Sequence, residues 1–334
     1  MRKFKALFAG CLFALSMTPA AAETNTIHAS KQYGLSYLPL MIMEDQKLVE
    51  KHAAALGLKD IKVSWVTLGG PSAMNDALLS GGLDFGAGGV PNLVTLWAKT
   101  RNTPTAVLGV GALNDMPVDL VSSNPNFKKL SDLSEKDKIA VTSVKISTQA
   151  LLLQMATAKE FGEANFDKYD SLTVSMPHPE AMTALMSGGI GINAHFSSPP
   201  FQYTELADPK IHKVLNNYEI LGGPATFNVV WGTSKFRTDN PKAYQAFFEA
   251  LKESIDIINR DKRKAAETYK RMANTKETVE FLLGILNDPL VNNTVEPHKT
   301  LPIAQFLAKV KRIPAAPTKW QDMWFPEIQS LKGS

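Results

Sequence analysis

Residues 26–66 read TIHASKQYGLSYLPLMIMEDQKLVEKHAAALGLKDIKVSWV, and this stretch decides the fold. Residues 26–30 form a short strand pattern. Residues 39–56 place Leu40, Met43, Leu48, Ala55 and Leu56 at helical spacing with charges between them. Gly57 stops that helix. Residues 61–66 alternate apolar and polar in the manner of a half-buried strand. Strand, helix and strand in forty residues call for parallel pairing, with the helix laid over one face of a sheet.

Read outward, the unit repeats. Helices are predicted over 71–80 and 91–99, and strands over 83–86 and 105–110. A second cycle starts near residue 118. It has strands over 138–142, 172–176, 190–196 and 211–215, and helices over 147–161, 180–186 and 199–206. Ser147 or Thr148 caps the helix over 147–161. A β-rich run follows over 225–231, then helices over 241–259, 263–272 and 276–286. These last helices have no sheet of their own and must pack on an earlier one. The pattern predicts an α/β protein of two lobes with mostly parallel sheets. Residues 23–118 and 222–334 make a discontinuous first lobe, and 119–221 the second. Two crossings leave a cleft between them. The basic run at 260–264 reads as a solvated helix start.

The chain opens with Arg2, Lys3 and Lys5, then an apolar run over 6–17, then Ala20 and Ala22 before Glu23. This is the pattern of a secretory signal peptide over residues 1–22. The run is too short to span a bilayer. Phe8-Ala-Gly-Cys11 loosely resembles a lipoprotein box, which gives lipid anchoring at Cys11 as the alternative to free release. Removal of 1–22 takes away the only cysteine, leaving no thiol, disulfide or cysteine ligand. It also brings the 36 basic and 32 acidic residues close to balance. Such a balance carries no electrostatic footprint for nucleic acid or for anionic lipid. A monomer is expected.

Ligands in open α/β sheets sit beyond the carboxyl ends of the strands. Six strand-to-helix loops therefore matter: 32–39, 68–73, 86–91, 143–149, 177–179 and 195–200. They are rich in Gly, Pro, Ser and Thr. Gly permits close backbone approach, Pro opens helices whose first N–H groups point outward, and Ser and Thr add hydroxyl donors. Together they suit a small anion or polar head group held at helix N-termini. Tyr33, Tyr37, Phe196, Phe201 and Trp231 lie in or beside the loops, as stacking surfaces or cleft lining. No Arg lies in any of them, and Lys145 is the only Lys. A doubly charged phosphate held by an arginine fork is thereby disfavoured. A sulfonate, carboxylate, nitrate or neutral heterocycle fits.

His178 and His195 fall at strand ends facing the cleft, where each could donate to a ligand oxygen. As a metal pair they lack a third ligand, and no cofactor is implied. His28, His52, His212 and His298 read as structural or solvent-facing. No G-x-S-x-G, H-E-x-x-H, P-loop or G-x-G-x-x-G occurs. No acid of recognisable spacing stands behind His195, so no catalytic residue is assigned. An exported enzyme or a sensor acting on a small heterocycle or carboxylate is the alternative reading.

Tyr33-Gly-Leu-Ser-Tyr-Leu-Pro-Leu-Met-Ile-Met-Glu44 and Leu48-Val-Glu-Lys51 resemble the first strand–helix unit of periplasmic solute-binding proteins of the nitrate/sulfonate/taurine class of ABC importers. Ala77-Leu-Leu-Ser-Gly-Gly-Leu-Asp-Phe-Gly86, Gly89-Val-Pro91, Leu185-Met-Ser-Gly-Gly189 and His195-Phe-Ser-Ser-Pro-Pro-Phe201 resemble the same class. The likeness is weak after about residue 240. It implies a two-lobed periplasmic-binding-protein fold of the second type, closing on a hinge around one small molecule and docking on a membrane permease. It implies ligand contacts at Tyr37, Gly70, Ser72, Gly89, Ser147, Thr148 and His195. His178 and Trp231 are added from their own placement. Related pyrimidine synthases rely on a cysteine-rich motif, which the exported chain lacks.

Overall fold

The computed structural model describes residues 23–188 and 191–334. The expected signal peptide, Cys11, and Gly189 and Ile190 lie outside the described residues. In chain order the strands are β1 (Thr26–Lys31), β2 (Lys62–Thr67), β3 (Phe85–Gly89), β4 (Val107–Asp115), β5 (Asp119–Ser122), β6 (Ile139–Val141), β7 (Thr173–Ser175), β8 (Ala194–Ser197), β9 (His212–Asn216), β10 (Thr226–Thr233) and β11 (Asn292–Asn293). They form two sheets, ordered β11-β4-β10-β3-β1-β2 and β7-β6-β8-β5-β9. Each sheet with its helices is a lobe of an α/β fold. The chain passes from the first sheet to the second at residues 116–118 and returns at 217–225.

The sheets are mixed where parallel ones were expected. β1 pairs in parallel with β2 and β3, but β10 runs antiparallel to both β3 and β4. The reason is connectivity. β4 ends at the crossing and β10 begins there, so the two neighbours run in opposite directions. In the second sheet β5, which enters from the crossing, is likewise antiparallel to β8 and β9.

Asn217 stitches the two crossings together. Its side chain accepts from the Val118 N–H at 3.0 Å and donates to the Met116 carbonyl at 3.1 Å. Beside them Asp115 accepts from Thr226 Oγ1 at 3.1 Å and pairs with His298 Nδ1 at 2.7 Å. This pairing holds the His298 imidazolium above its ordinary range.

Helix Pro241–Arg260 supplies much of the first core. Phe247 stacks on Phe85 with centroids 3.8 Å apart, and Phe236 meets Phe85 edge-on at 5.1 Å. The helix read as continuous over 39–56 is two helices, Leu38–Asp45 and Leu48–Ala55. Lys47, at φ 50, re-aims the second. β3 also departs from expectation, because it runs on through the glycines read as a loop. Trp231 on β10 lies over them: a Cβ at Gly86 would sit 2.5 Å from the indole nitrogen. The strand needs no side chains there, since the indole fills their space.

Candidate cleft between the two lobes

Four helices begin at one pocket between the lobes: Pro71–Leu79, Val90–Thr100, Thr148–Phe161 and His178–Ser187. Three of them carry Pro at the first or second helical position, where a missing N–H costs no helical hydrogen bond. Each N-terminus adds partial positive charge from unpaired backbone N–H groups. The first lobe lines the pocket with Gln32, Tyr33, Tyr37, Pro71, Gly89, Asn92, Phe227 and Asn228. The second adds Thr142, Ser147, Thr148, Gln149, His178 and Ser198. With the lobes in contact the enclosed space is narrow, on the scale of about one or two water molecules, so a ligand would be gripped closely on all sides.

The lobes touch around it. The Leu35 N–H donates to the Pro199 carbonyl at 2.8 Å, and Tyr203 donates to Asp288 at 2.6 Å. Gly89 meets Thr148 so closely that a Cβ there would stand 1.7 Å from the threonine hydroxyl. This is a closed arrangement, and Gly89 is what allows it.

Several lining groups are placed for a ligand. Ser147 caps its helix, accepting from the Ala150 N–H at 3.3 Å, which leaves the neighbouring hydroxyl of Thr148 free. Thr148 Oγ1 and Asn92 Oδ1 are buried with no hydrogen-bond partner within the protein. Such groups carry a desolvation cost that a bound polar group relieves. Tyr37 is held by burial in its neutral phenol form, against the opposing hydrogen bond to Asn228. Asn228 in turn donates to Ser36 at 2.8 Å. No Lys, Arg, Asp or Glu lines the pocket.

Behind the second-lobe wall runs a buried polar chain. Glu205 Oε1 is 2.6 Å from His195 Nδ1, and His195 Nε2 is 2.8 Å from His178 Nδ1. His178 Nε2, on the pocket side, lies 3.0 Å from Ser198 Oγ and 3.1 Å from Gln149 Nε2. Phe201 stacks on the His178 ring at 5.5 Å. Burial, then the neighbouring His195, pushes the His178 imidazolium well below its ordinary range.

Of the residues singled out from sequence, the structure brings Tyr37, Gly89, Ser147, Thr148 and His178 to the pocket. Four are elsewhere. His195 is fully buried inside β8 and touches His178 rather than the pocket. The acid thought missing behind it is Glu205, ten residues on, at the next turn of chain. Gly70 lies at the rim, where a Cβ would be 3.0 Å from the Thr142 carbonyl. Ser72 is exposed on its helix. Trp231 is fully buried over β3 and does not reach the pocket. Lys145 also stays outside, its carbonyl accepting from Arg312.

Sequence reasoning missed Asn92, Thr142, Phe227 and Asn228. Gln32, Tyr33, Gln149 and Ser198 stood in the loops singled out and carried that much signal. Among the described residues no group of three His, Cys, Asp or Glu could hold a metal ion. None of their helices is long and apolar enough to cross a membrane.

The fold matches solved structures across nearly its whole length. A protein from Bordetella bronchiseptica RB50 aligns with TM-score 0.75 at 20% identity, covering 92% of this chain and 96% of that one. The alkanesulfonate-binding protein SsuA from Xanthomonas axonopodis pv. citri, bound to MOPS, aligns with TM-score 0.69 at 17% identity, covering 88% and 96%. The periplasmic nitrate-binding protein NrtA from Synechocystis PCC 6803 gives TM-score 0.69 at 14% identity, covering 90% and 84%. No family model and no curated protein matches in sequence. The chain therefore has the two-lobed periplasmic-binding-protein fold, as the resemblance implied.

Proposed function

We propose that this chain is the substrate-binding component of an ABC importer, exported to the periplasm, that captures a small organic or inorganic anion by lobe closure and presents it to a membrane permease. Sulfonates, taurine and nitrate are the ligand types favoured. The observation that carries the reading is the convergence of four helix N-termini on one pocket with no carboxylate in its lining. The neighbours whose fold it shares include proteins named for sulfonate and nitrate binding. Residues 23–118 with 222–334, and 119–221, would move as the two lobes about the paired crossings. Closure then requires a ligand that favours the closed state over the open one.

A second reading has one observation behind it. Ser198 Oγ stands 3.0 Å from His178 Nε2, a hydroxyl beside a base oriented by further groups, as in nucleophilic enzymes. One experiment separates the two. Thermal unfolding is followed against nitrate, methanesulfonate, taurine and acetate, and the stabilising compound is recovered afterwards. A ligand at a hundred times its dissociation constant adds about 2.7 kcal/mol, a shift of several degrees. A shift with the compound returned unchanged supports the binding protein. A compound returned altered supports the enzyme. A flat response to all four sinks the anion reading.

A further inference from the structure

We infer that the buried chain Glu205–His195–His178 takes up one proton when an anion enters the cleft, so that the ligand is captured as an anion–proton pair. The inference rests on the anion reading above and adds the source of the countercharge.

The pocket lining holds no Lys or Arg. Behind it Glu205 is fully buried, as is His195 between Glu205 and His178. With Glu205 ionised it can only accept hydrogen bonds, and that starting state sets the direction of the whole chain. His195 Nδ1 must carry the hydrogen toward Glu205 Oε1 at 2.6 Å. Its Nε2 then accepts, so His178 Nδ1 carries the hydrogen across the 2.8 Å contact. His178 Nε2 is left as a lone pair on the pocket side, receiving Ser198 and Gln149. In this state the chain bears one negative charge and turns an acceptor toward the ligand. Both features oppose an anion.

One proton reverses them. It binds His178 Nε2, the His178 Nδ1 hydrogen passes to His195 Nε2, and the positive charge rests on His195 against Glu205. The chain becomes neutral overall. His178 stays uncharged, in keeping with the burial that disfavours its imidazolium. It now presents an N–H on the pocket side to Ser198, whose own hydrogen turns to the ligand, and the Gln149 amide rotates to place its oxygen toward the ring and its NH2 toward the Thr142 hydroxyl.

The other titratable groups around His178 are few. Tyr33 and Tyr37 face it across the pocket from the first lobe. Glu180 lies in the first turn of its own helix. Asp119 on β5 stands opposite Ser197 of β8, its carboxylate held by Asn216 at 2.5 Å. None offers a positive charge in place of the proton.

The test is calorimetric titration of the full exported chain with nitrate, methanesulfonate, taurine and acetate. It is run in Tris and in imidazole, two sulfonate-free buffers with different ionisation heats. The expected result for the compound that binds is close to one proton taken up per ligand at pH 7.5. Affinity should weaken about tenfold per pH unit from pH 7 to 9, the slope for one linked proton. Glu205→Gln, which cannot balance the charge on His195, should bind with affinity flat in pH and no proton uptake. If that variant fails to fold, the proton count of the unaltered protein decides alone. Binding with no proton exchanged, with proton release, or with affinity independent of pH overturns the inference and leaves the anion-binding reading standing. Failure of all four probes, acetate included, to bind overturns both.

Discussion

The two walls of the cleft are made differently. The first-lobe wall is uncharged amide and aromatic side chain around one glycine: Gln32, Asn92 and Asn228, with Tyr33, Tyr37 and Phe227, beside Gly89. Its positions are set by sheet packing, since β3 and β10 pair through it and Trp231 is pressed onto the glycines of β3. The second-lobe wall is side-chain chemistry: hydroxyls at Ser147, Thr148 and Ser198, the Gln149 amide, and His178 backed by two buried titratable groups. The difference teaches a division of labour. Both lobes offer uncharged hydrogen-bonding groups, and only the second offers Ser and Thr hydroxyls beside a buried titratable chain. Mutations should therefore fail differently on the two sides.

The largest effect is expected on the second wall, and in stability. Replacing His195 with Ala strands a fully buried carboxylate, whose Oε2 already lacks a partner. Breaking a buried pair from one side costs about 3–5 kcal/mol. Chemical denaturation should show that loss, and His195→Ala combined with Glu205→Gln should recover much of it. Equal stability of the single and double variants would mean that no charge is stored behind the wall, and the contrast between lobes would weaken.

Next come two changes at one contact, read in ligand affinity. Thr148→Ala removes a buried hydroxyl that has no partner within the protein. A hydrogen bond to a charged ligand contributes about 1.5–3 kcal/mol, so affinity should fall between tenfold and a hundredfold with little change in stability. Gly89→Ala acts by shape. Its Cβ would overlap Thr148 Oγ1 in the closed form alone. Overpacking of that kind costs about 1–3 kcal/mol, charged to closure and not to the folding of either lobe. Adding Thr148→Ala to Gly89→Ala should remove the overlap with the hydroxyl and leave a tight 3.0 Å approach to the Cβ at 148, so the combined loss should be less than the sum of the two. Strict additivity would place the two residues apart and deny the closed contact.

The legibility of the sequence followed the same line. Strand–helix alternation, the two crossings and the loops with Pro and Gly were readable because they are local: periodicity and turn residues act over a few positions. Ser147 and Thr148 were readable as helix starts for the same reason. What was hidden depends on pairing between distant segments. Asn228 reaches the pocket because β10 lies beside β3, and the antiparallel return of β10 follows from the crossing. Glu205 stands behind His195 because helix Phe201–Leu206 folds back on β8, a fact of packing that no spacing rule encodes. Gly88 looked like a loop, since the indole that lets it continue the strand comes from residue 231. Trp231 looked like a cleft residue for the complementary reason.

The smallest effect is predicted where the chemistry read from sequence looked as good as at Thr148. Ser72 is also a hydroxyl in the first turn of a helix that begins at the pocket. It is exposed, however, and Pro71 is the residue of that turn that lines the space. A surface substitution with no such partner stays within about 0.5 kcal/mol. Ser72→Ala should therefore leave ligand affinity within about twofold, against the tenfold or more at Thr148. A loss at Ser72 matching that at Thr148 would show that the first wall also binds through side-chain hydroxyls. The lobes would then be chemically alike, and helix N-termini rather than the buried relay would set the selectivity of the site.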